Sequence, residues 1–302
     1  MTTSYGTATD HDDLFERLRT FLTTGIGTGE NWTELDYNTA DRSVLFEAPG
    51  LSGTEEIHVG LQLYESVDTD TFGFYGWMFR AYDSGLAHTL QPGASATRFH
   101  PTFDAAIPYW FFANAQRVIV VTKISTVYTA SYLGKFLQYG TPGEYGQPYY
   151  VGMPYSGALR FSSERHDFRN FWDPGDGAQI LLPSGSWSTC RNHDESTSAE
   201  SPATSGNFIH PYHDRSGTSA NEVRSRWREL RDNVDGSYTR FPLMLTGNTP
   251  EANIYGELDG AYAISGFSTV SEDDLTIGGD SYLIFQDCYR TARWNYAALL
   301  EA

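Results

Sequence analysis

The sequence predicts a β-dominated α+β protein, made of antiparallel sheets or a sandwich with a few short helices. Three observations carry that expectation. Runs of alternating or continuous β-branched and aromatic residues recur along the chain, as at 57–63, 109–112, 117–124 and 127–137. Gly, Asn and Pro punctuate these runs. Only two stretches carry the apolar period of a helix, one near the start and one near residue 225.

In chain order, the first helix is marked by Leu14, Leu18, Phe21 and Leu22 at i, i+4, i+7 and i+8. Asp12 or Asp13 is the expected cap, with Glu16 placed as in a capping box, and Gly25, Gly27 and Gly29 stop the helix. Ile57, Val59, Leu61 and Leu63 alternate with His58, Gly60 and Gln62, which predicts a half-buried strand. Residues 72–79 read as the next strand, followed by an irregular connection through Pro92, Gly93 and Pro101. Residues 109–112 and 117–124 form the strongest hairpin, with Asn114 expected to supply a left-handed conformation in its turn. Both arms are so apolar that burial on two faces is expected. Residues 127–137 continue as a strand into a Gly/Pro/Tyr-rich loop, 139–150.

The stretch 186–207 is polar and small, which predicts a long surface loop. A second helix is expected at 219–233, capped by Ser219 with Glu222 three residues on, and apolar at Val223, Trp227 and Leu230. Residues 254–264 are expected to turn at Asp259 and Gly260, and 275–285 to fold as a hairpin about Gly278 and Gly279. The division expected is a β-rich N-terminal domain with a leading helix, 1–165, and a C-terminal β domain, 166–302. The latter carries the polar loop 186–207 and the Arg-rich helix 219–233.

The chain has 302 residues and a formal net charge of −18, from 38 Asp and Glu against 20 Lys and Arg. Of those 20 only Lys123 and Lys135 are lysines. A surface rich in carboxylates and poor in lysine suits molar salt, where the Debye length falls to about 3 Å and like-charge repulsion is screened. The expectation is a halophilic protein. The same acidity excludes a general nucleic-acid binder, whose affinity comes from neutralising phosphates. No apolar run approaches the length of a membrane span, and the first residues lack the basic and apolar regions of a secretory signal. Cys190 and Cys288 cannot make a disulfide framework and are expected to stay reduced.

Motifs for chemistry are weak. His210, His213 and Asp214 form the one histidine cluster, and with the cysteines they would offer zinc ligands. An H-x-x-H in a loop lacks the partner motif that makes such a signal strong, so an ordinary loop or interface histidine is the default. Asp173 and Asp176 open like a calcium loop but have the wrong acidic spacing. Gly25, Gly27 and Gly29 follow a helix and are not a dinucleotide fingerprint, and no P-loop or G-x-S-x-G is present. Acid pairs are expected by chance among 38 acids. No enzyme and no cofactor is expected. Asn31, Trp32 and Thr33 make the sole glycosylation sequon. The helix 219–233 bears Arg224, Arg226, Arg228 and Arg231 in an acidic chain; the default is a helix clamped by the protein's own carboxylates, and the sharper reading, with Arg224 and Arg228 beside Trp227, is an ion-pair surface for a neighbouring subunit.

The run YWFFANAQRVIVVTKISTVYTASYLGKFLQYGTPGEYGQPYYVG, residues 109–152, resembles a segment of large virion structural proteins of tailed viruses. There an aromatic strand, an Asn-containing turn, a K-x-S-T-x-Y strand and a Y-L-G-x-x-L-x-Y-x-T-P run follow in this order. IYGELDGAYAISGF, residues 254–267, and LTIGGDSYLIFQDCYRTARWNYAALL, residues 275–300, resemble the closing segment of the same proteins. Ala115 and Gln116 depart from that pattern, and 186–207 has no counterpart in it.

The resemblance implies a structural protein of the virion, in tail, baseplate or neck, assembled in the host cytoplasm as a homo-oligomeric ring in contact with other virion proteins. With the salt-adapted composition it implies a haloarchaeal virus. It brings no catalytic residues. Tyr149 and Tyr150, in the Tyr-rich segment, are the remaining interface candidates beside Arg224, Trp227 and Arg228. The alternative is a tail-tip module that binds carbohydrate or a surface layer for receptor recognition, stacking sugars on Trp187 or Trp294.

Overall fold

A computed structural model describes residues 1–140, 145–161, 178–193, 207–213, 235–247, 253–288, 291 and 296–301, of which 191–193, 207–213 and 253 are described as backbone. Among the described residues there are nineteen strands and one α-helix, a β-dominated α+β fold. No helix among them is long and apolar enough to cross a membrane.

Strand β1 (Thr2–Ala8) leads into helix α1 (His11–Thr20). The cap is Asp10, earlier than expected: its carboxylate accepts the Asp13 N–H at 2.8 Å, while the Asp13 carboxylate accepts the Thr9 N–H at 2.8 Å. This reciprocal arrangement has the logic of a capping box with Asp in place of Glu. Leu14, Phe15 and Leu18 form the buried stripe. A π-turn, Phe21–Gly25, follows, and the Asn31 side chain closes it by accepting the N–H groups of Ile26 and Gly27, both at 3.0 Å. The sequon asparagine is therefore engaged in holding the chain.

The next five strands form a small antiparallel sheet in sequence order: β2 (Thr33–Asn38), β3 (Ser43–Ala48), β4 (Ile57–Ser66), β5 (Thr71–Phe79) and β6 (Arg98–Thr102). β4 is buried on both faces, not on one. Its inner face, with Val59 and Leu61, packs toward the rest of the protein. On its outer face Trp77 of β5 lies over Gly60, and Leu45, Trp77 and Phe79 form a separate buried cluster. The segment between β5 and β6 folds back over this face, and its His88 carbonyl accepts the Trp77 indole N–H at 3.2 Å.

A second sheet contains β1 with β7 (Ile107–Ala113), β8 (Arg117–Ile124), β9 (Val127–Lys135), β10 (Leu137–Gln138), β11 (Tyr149–Gly152), β12 (Ala178–Leu181), β13 (Trp187–His193), β14 (Asn207–His213), β15 (Phe241–Gly247), β16 (Asn253–Ile264), β17 (Asp274–Ile277), β18 (Asp280–Gln286) and β19 (Tyr296–Leu300). The order is 1-7-8-9-11-12-13-14-15-16-19-18-17, with β10 on β16. Among the described strands β13–β14 is the one parallel pair. β10 follows β9 after a single residue, Phe136, and pairs at Leu137 and Gln138 with Glu257 and Gly256 of β16. The hydrogen-bonded path from β9 through β11–β16 thus returns to its own starting strand and closes, which removes edges from that part of the sheet.

The packing has three layers, and the hairpin β7–β8 with β9 is the middle one. Phe111, Val118, Val120 and Leu133 face the small sheet's Val44, Phe46, Val59, Phe74 and Met78, with Leu14, Phe15 and Leu18 of α1 alongside. Phe112, Ile119, Val121 and Tyr132 alternate to the other side, against Leu243, Leu245, Leu258, Phe285 and Leu299. Each such fully buried apolar side chain contributes about 1.5–3 kcal/mol. The two-face burial expected for these arms is what the structure has.

Other expectations meet different outcomes. Asn114 is absent from the positive-φ residues; it makes the turn with its side chain, whose Oδ1 accepts the Gln116 and Arg117 N–H groups at 2.9 and 3.1 Å. Asp259 and Gly260 do not turn, because β16 runs through them. Gly260 has φ +72, and a Cβ there would lie 2.1 Å from the Arg117 guanidinium, so the glycine serves a close approach. The stretch 186–207 is not one loop: β13 occupies its first part, while 194–206 lies outside the described residues. The helix expected at 219–233 also lies outside them. The boundary expected at 165/166 does not break the hydrogen bonding, since β11 and β12 pair through Tyr150 with Ile180 and Val151 with Gln179. The hairpin at 275–285 is as expected, with Gly278 and Gly279 at φ +66 and +98 between β17 and β18.

Candidate functional site

Tyr149 and Tyr150 are core residues, which corrects their expected place at an interface. They are 2% and 0% exposed, on opposite faces of β11. The Tyr149 hydroxyl donates to the Glu56 carbonyl at 3.0 Å, and burial pushes its pKa up. Tyr150 packs edge-on against Tyr132. Their pairing with Lys135 and Gly134 of β9 explains the burial, since a strand inserted there has both faces covered. Arg224, Trp227, Arg228 and Asp214 lie outside the described residues. Of the histidine cluster, His210 is opposite Met244 on β15, and His213 is opposite His193 on β13.

Trp187 is not a free stacking platform. Its indole N–H donates to the Gly93 carbonyl at 2.7 Å and its ring packs against the core. Trp294 lies outside the described residues.

Among the described strands, β1 and β17 end the large sheet and β2 and β6 the small one, with a Phe99–Tyr155 bridge over part of the β6 edge. Such edges are where another strand adds. Near β1, Tyr5 is 70% exposed, and a shallow groove of about 410 Å³ runs between β1 and α1, lined by Asp13, Glu16, Arg17, Phe21 and Tyr109.

A buried polar junction joins β7–β8 to β16. Arg117 is 0% exposed; its Nε donates to Asp259 Oδ2 at 3.3 Å and its Nη1 to the Phe112 carbonyl at 3.1 Å. Asn114 Nδ2 and Gln116 Nε2 donate to the same Asp259 oxygen at 2.8 and 3.0 Å. Burial works to raise the Asp259 pKa, but the Arg117 charge and the three donors outweigh it and hold the carboxyl below its ordinary range.

His100 on β6 forms a second junction, between the sheets. Its Nδ1 lies 2.6 Å from Ser131 Oγ and its Nε2 2.8 Å from Thr122 Oγ1, with the ring stacked on Phe74. Burial drives its pKa down to about 3. The ring is neutral when folded, whereas in the unfolded chain it takes a proton near pH 6.5. Its contribution is therefore fully present above about pH 6.5 and is lost as pH falls toward about 3, at up to about 1.4 kcal/mol per pH unit. In urea titrations from pH 7 to pH 4, His100→Leu is expected to show a shallower loss of stability with acid than the wild type; parallel curves would mean that the ring is not buried neutral.

Two further histidines meet carboxylates. His11 is 5% exposed and neither ring nitrogen has a hydrogen-bond partner; Nε2 is 3.5 Å from Glu65 and 3.7 Å from Asp12, and Nδ1 is 3.6 Å from Asp104. The Arg42 guanidinium already holds both Asp12 and Glu65. His58 on β4, 2% exposed, stands with Glu47 and Glu56, one donor atom from each residue lying within 4.8 Å of the others. None of His11, His58 or His100 sits in a sequence motif, and only strand register and packing reveal what they face.

No family model matches the chain, and comparison with curated proteins finds no relative.

Proposed function

We propose that this chain is a structural and assembly component of a tailed virus particle, in its tail, baseplate or neck, and not an enzyme. It acts by symmetric oligomerisation in a ring and by contacts with other virion proteins. One observation supports the reading above the rest: the stretches that carry the resemblance, 109–152, 254–267 and 275–300, are distant in sequence but touch one another through their described residues. Trp110 and Phe285 meet edge-to-face with centroids 5.2 Å apart, and Asp259 gathers Asn114, Gln116 and Arg117. The edges of β1 and β17, which no further described strand covers, lie at opposite ends of one sheet order and suit the head-to-tail contacts from which rings close.

A halophilic host fits the use of cations. Lys123 and Lys135 are taken by Glu272 and Glu55 of the same chain, and Arg17, Arg19, Arg42, Arg117 and Arg240 are likewise paired with its carboxylates. With 38 acids against 20 basic residues the chain keeps surplus negative charge, which molar salt screens. The receptor-binding alternative is weakened by the engagement of Trp187.

Immunogold labelling of purified particles, with an antibody against the recombinant chain, tests the proposal. Gold at the tail tip or at the head–tail junction is the expected result, and the position distinguishes baseplate from neck. Particles that carry the chain's neighbours but bind no gold would overturn it.

A further inference from the structure

Glu47 on β3 and His58 on β4 are directly opposite each other in the pairing of those strands. Glu56 lies two residues before His58, and residues two apart share a face of an extended chain. The three side chains converge on the outer side of the small sheet, where His58 stacks on Phe79 with centroids 5.0 Å apart, an arrangement that fixes the ring. His58 Nε2 is 3.4 Å from Glu47 Oε2. Among the described residues its buried Nδ1 has no hydrogen-bond partner, and the polar groups near the ring are on the Nε2 side.

Charge at this spot is unbalanced. Among the described residues no Lys or Arg pairs with Glu47 or Glu56, and the nearby Lys135 is committed to Glu55. The His11 cluster differs on this point, because Arg42 neutralises its carboxylates.

We propose that Glu47, Glu56 and His58 form a zinc site that pins β3, β4 and the connection between them. One imidazole nitrogen and two carboxylate oxygens are a donor set that zinc accepts, with ligand distances of about 2.0–2.2 Å. Tetrahedral ligands at that range stand about 3.4 Å apart, the separation already present between His58 and Glu47. Three protein ligands leave a fourth position for water. The ion supplies the two positive charges that the glutamates lack, and it ties the exposed Glu56 to a buried ring.

Calorimetric titration of the chelator-treated full chain with zinc nitrate, in nitrate salts that keep chloride off the metal, tests the site. One equivalent is expected to bind, with a rise in Tm. Glu56→Gln changes an exposed side chain and should leave the fold intact while weakening binding at least tenfold; His58→Gln should abolish it. Magnesium should bind at least a hundredfold more weakly, since the imidazole gives it nothing. Three results would each overturn the proposal: no heat and no Tm shift with zinc, unchanged affinity in Glu56→Gln and Glu47→Gln, or magnesium binding as tightly as zinc.

Discussion

Replacing Asp259 with alanine is expected to lower the unfolding free energy by about 3–5 kcal/mol, the typical cost of removing one partner from a buried ion pair. The size follows from what would remain. Arg117 is fully buried, and beside Asp259 its guanidinium donates to the Phe112 carbonyl and meets the Met1 sulfur, neither of which carries a charge to balance it. Asn114 and Gln116 would lose their shared acceptor as well. Urea unfolding at fixed salt measures the loss. The double variant Arg117→Met/Asp259→Leu should recover much of it, because an apolar pair needs no desolvated charge. A loss below about 1 kcal/mol in Asp259→Ala, against the range for buried pairs, would show that water reaches the guanidinium.

Gly60→Ala is expected to cost about 3 kcal/mol, the upper end for overpacking a core. The added methyl would stand 2.1 Å from Trp77 Cε2 and 2.3 Å from Cζ2. The indole cannot retreat, since it is fully buried and its N–H is held by the His88 carbonyl. Trp77→Leu alone should also destabilise, by a few kcal/mol through the cavity it leaves. Combined, the two changes should cost clearly less than their sum, because the smaller side chain makes room for the methyl. Urea titrations of the four proteins of this cycle give the coupling; strict additivity would mean that the ring does not rest on the glycine.

Much of the fold was legible where local pattern and tertiary role agree. Residues 118–121 announce a strand buried on two faces because all four are β-branched and apolar, and Gly278 with Gly279 announces a primed turn because few other residues adopt those angles. Misreadings arose where a residue's chemistry suits two roles. Tyr149 and Tyr150 suit an interface as well as a core, and only the placement of β11 between β9 and β12 decides. Asp259 and Gly260 have the residue types of a turn, but the aspartate serves Arg117 and the glycine clears space for it. β13 was hidden by its polarity, since ladder hydrogen bonds come from the backbone, and Cys190 is its one side chain described as fully buried. The carboxylate–histidine clusters were invisible for a different reason: Glu47 and His58 meet only through the β3–β4 register.

The pairing of β10 with β16 has a consequence for how the molecule is made. During synthesis Leu137 and Gln138 leave the ribosome long before Gly256 and Glu257, the residues that complete the circuit. In that interval the nascent chain has an unsealed strand edge beside an apolar core, the condition under which partly made β proteins stick to one another. Joining segments so far apart also carries a large loop-closure entropy, which slows the final step. The protein is thus committed to a late sealing event, and its yield depends on how well the unfinished chain is shielded until then.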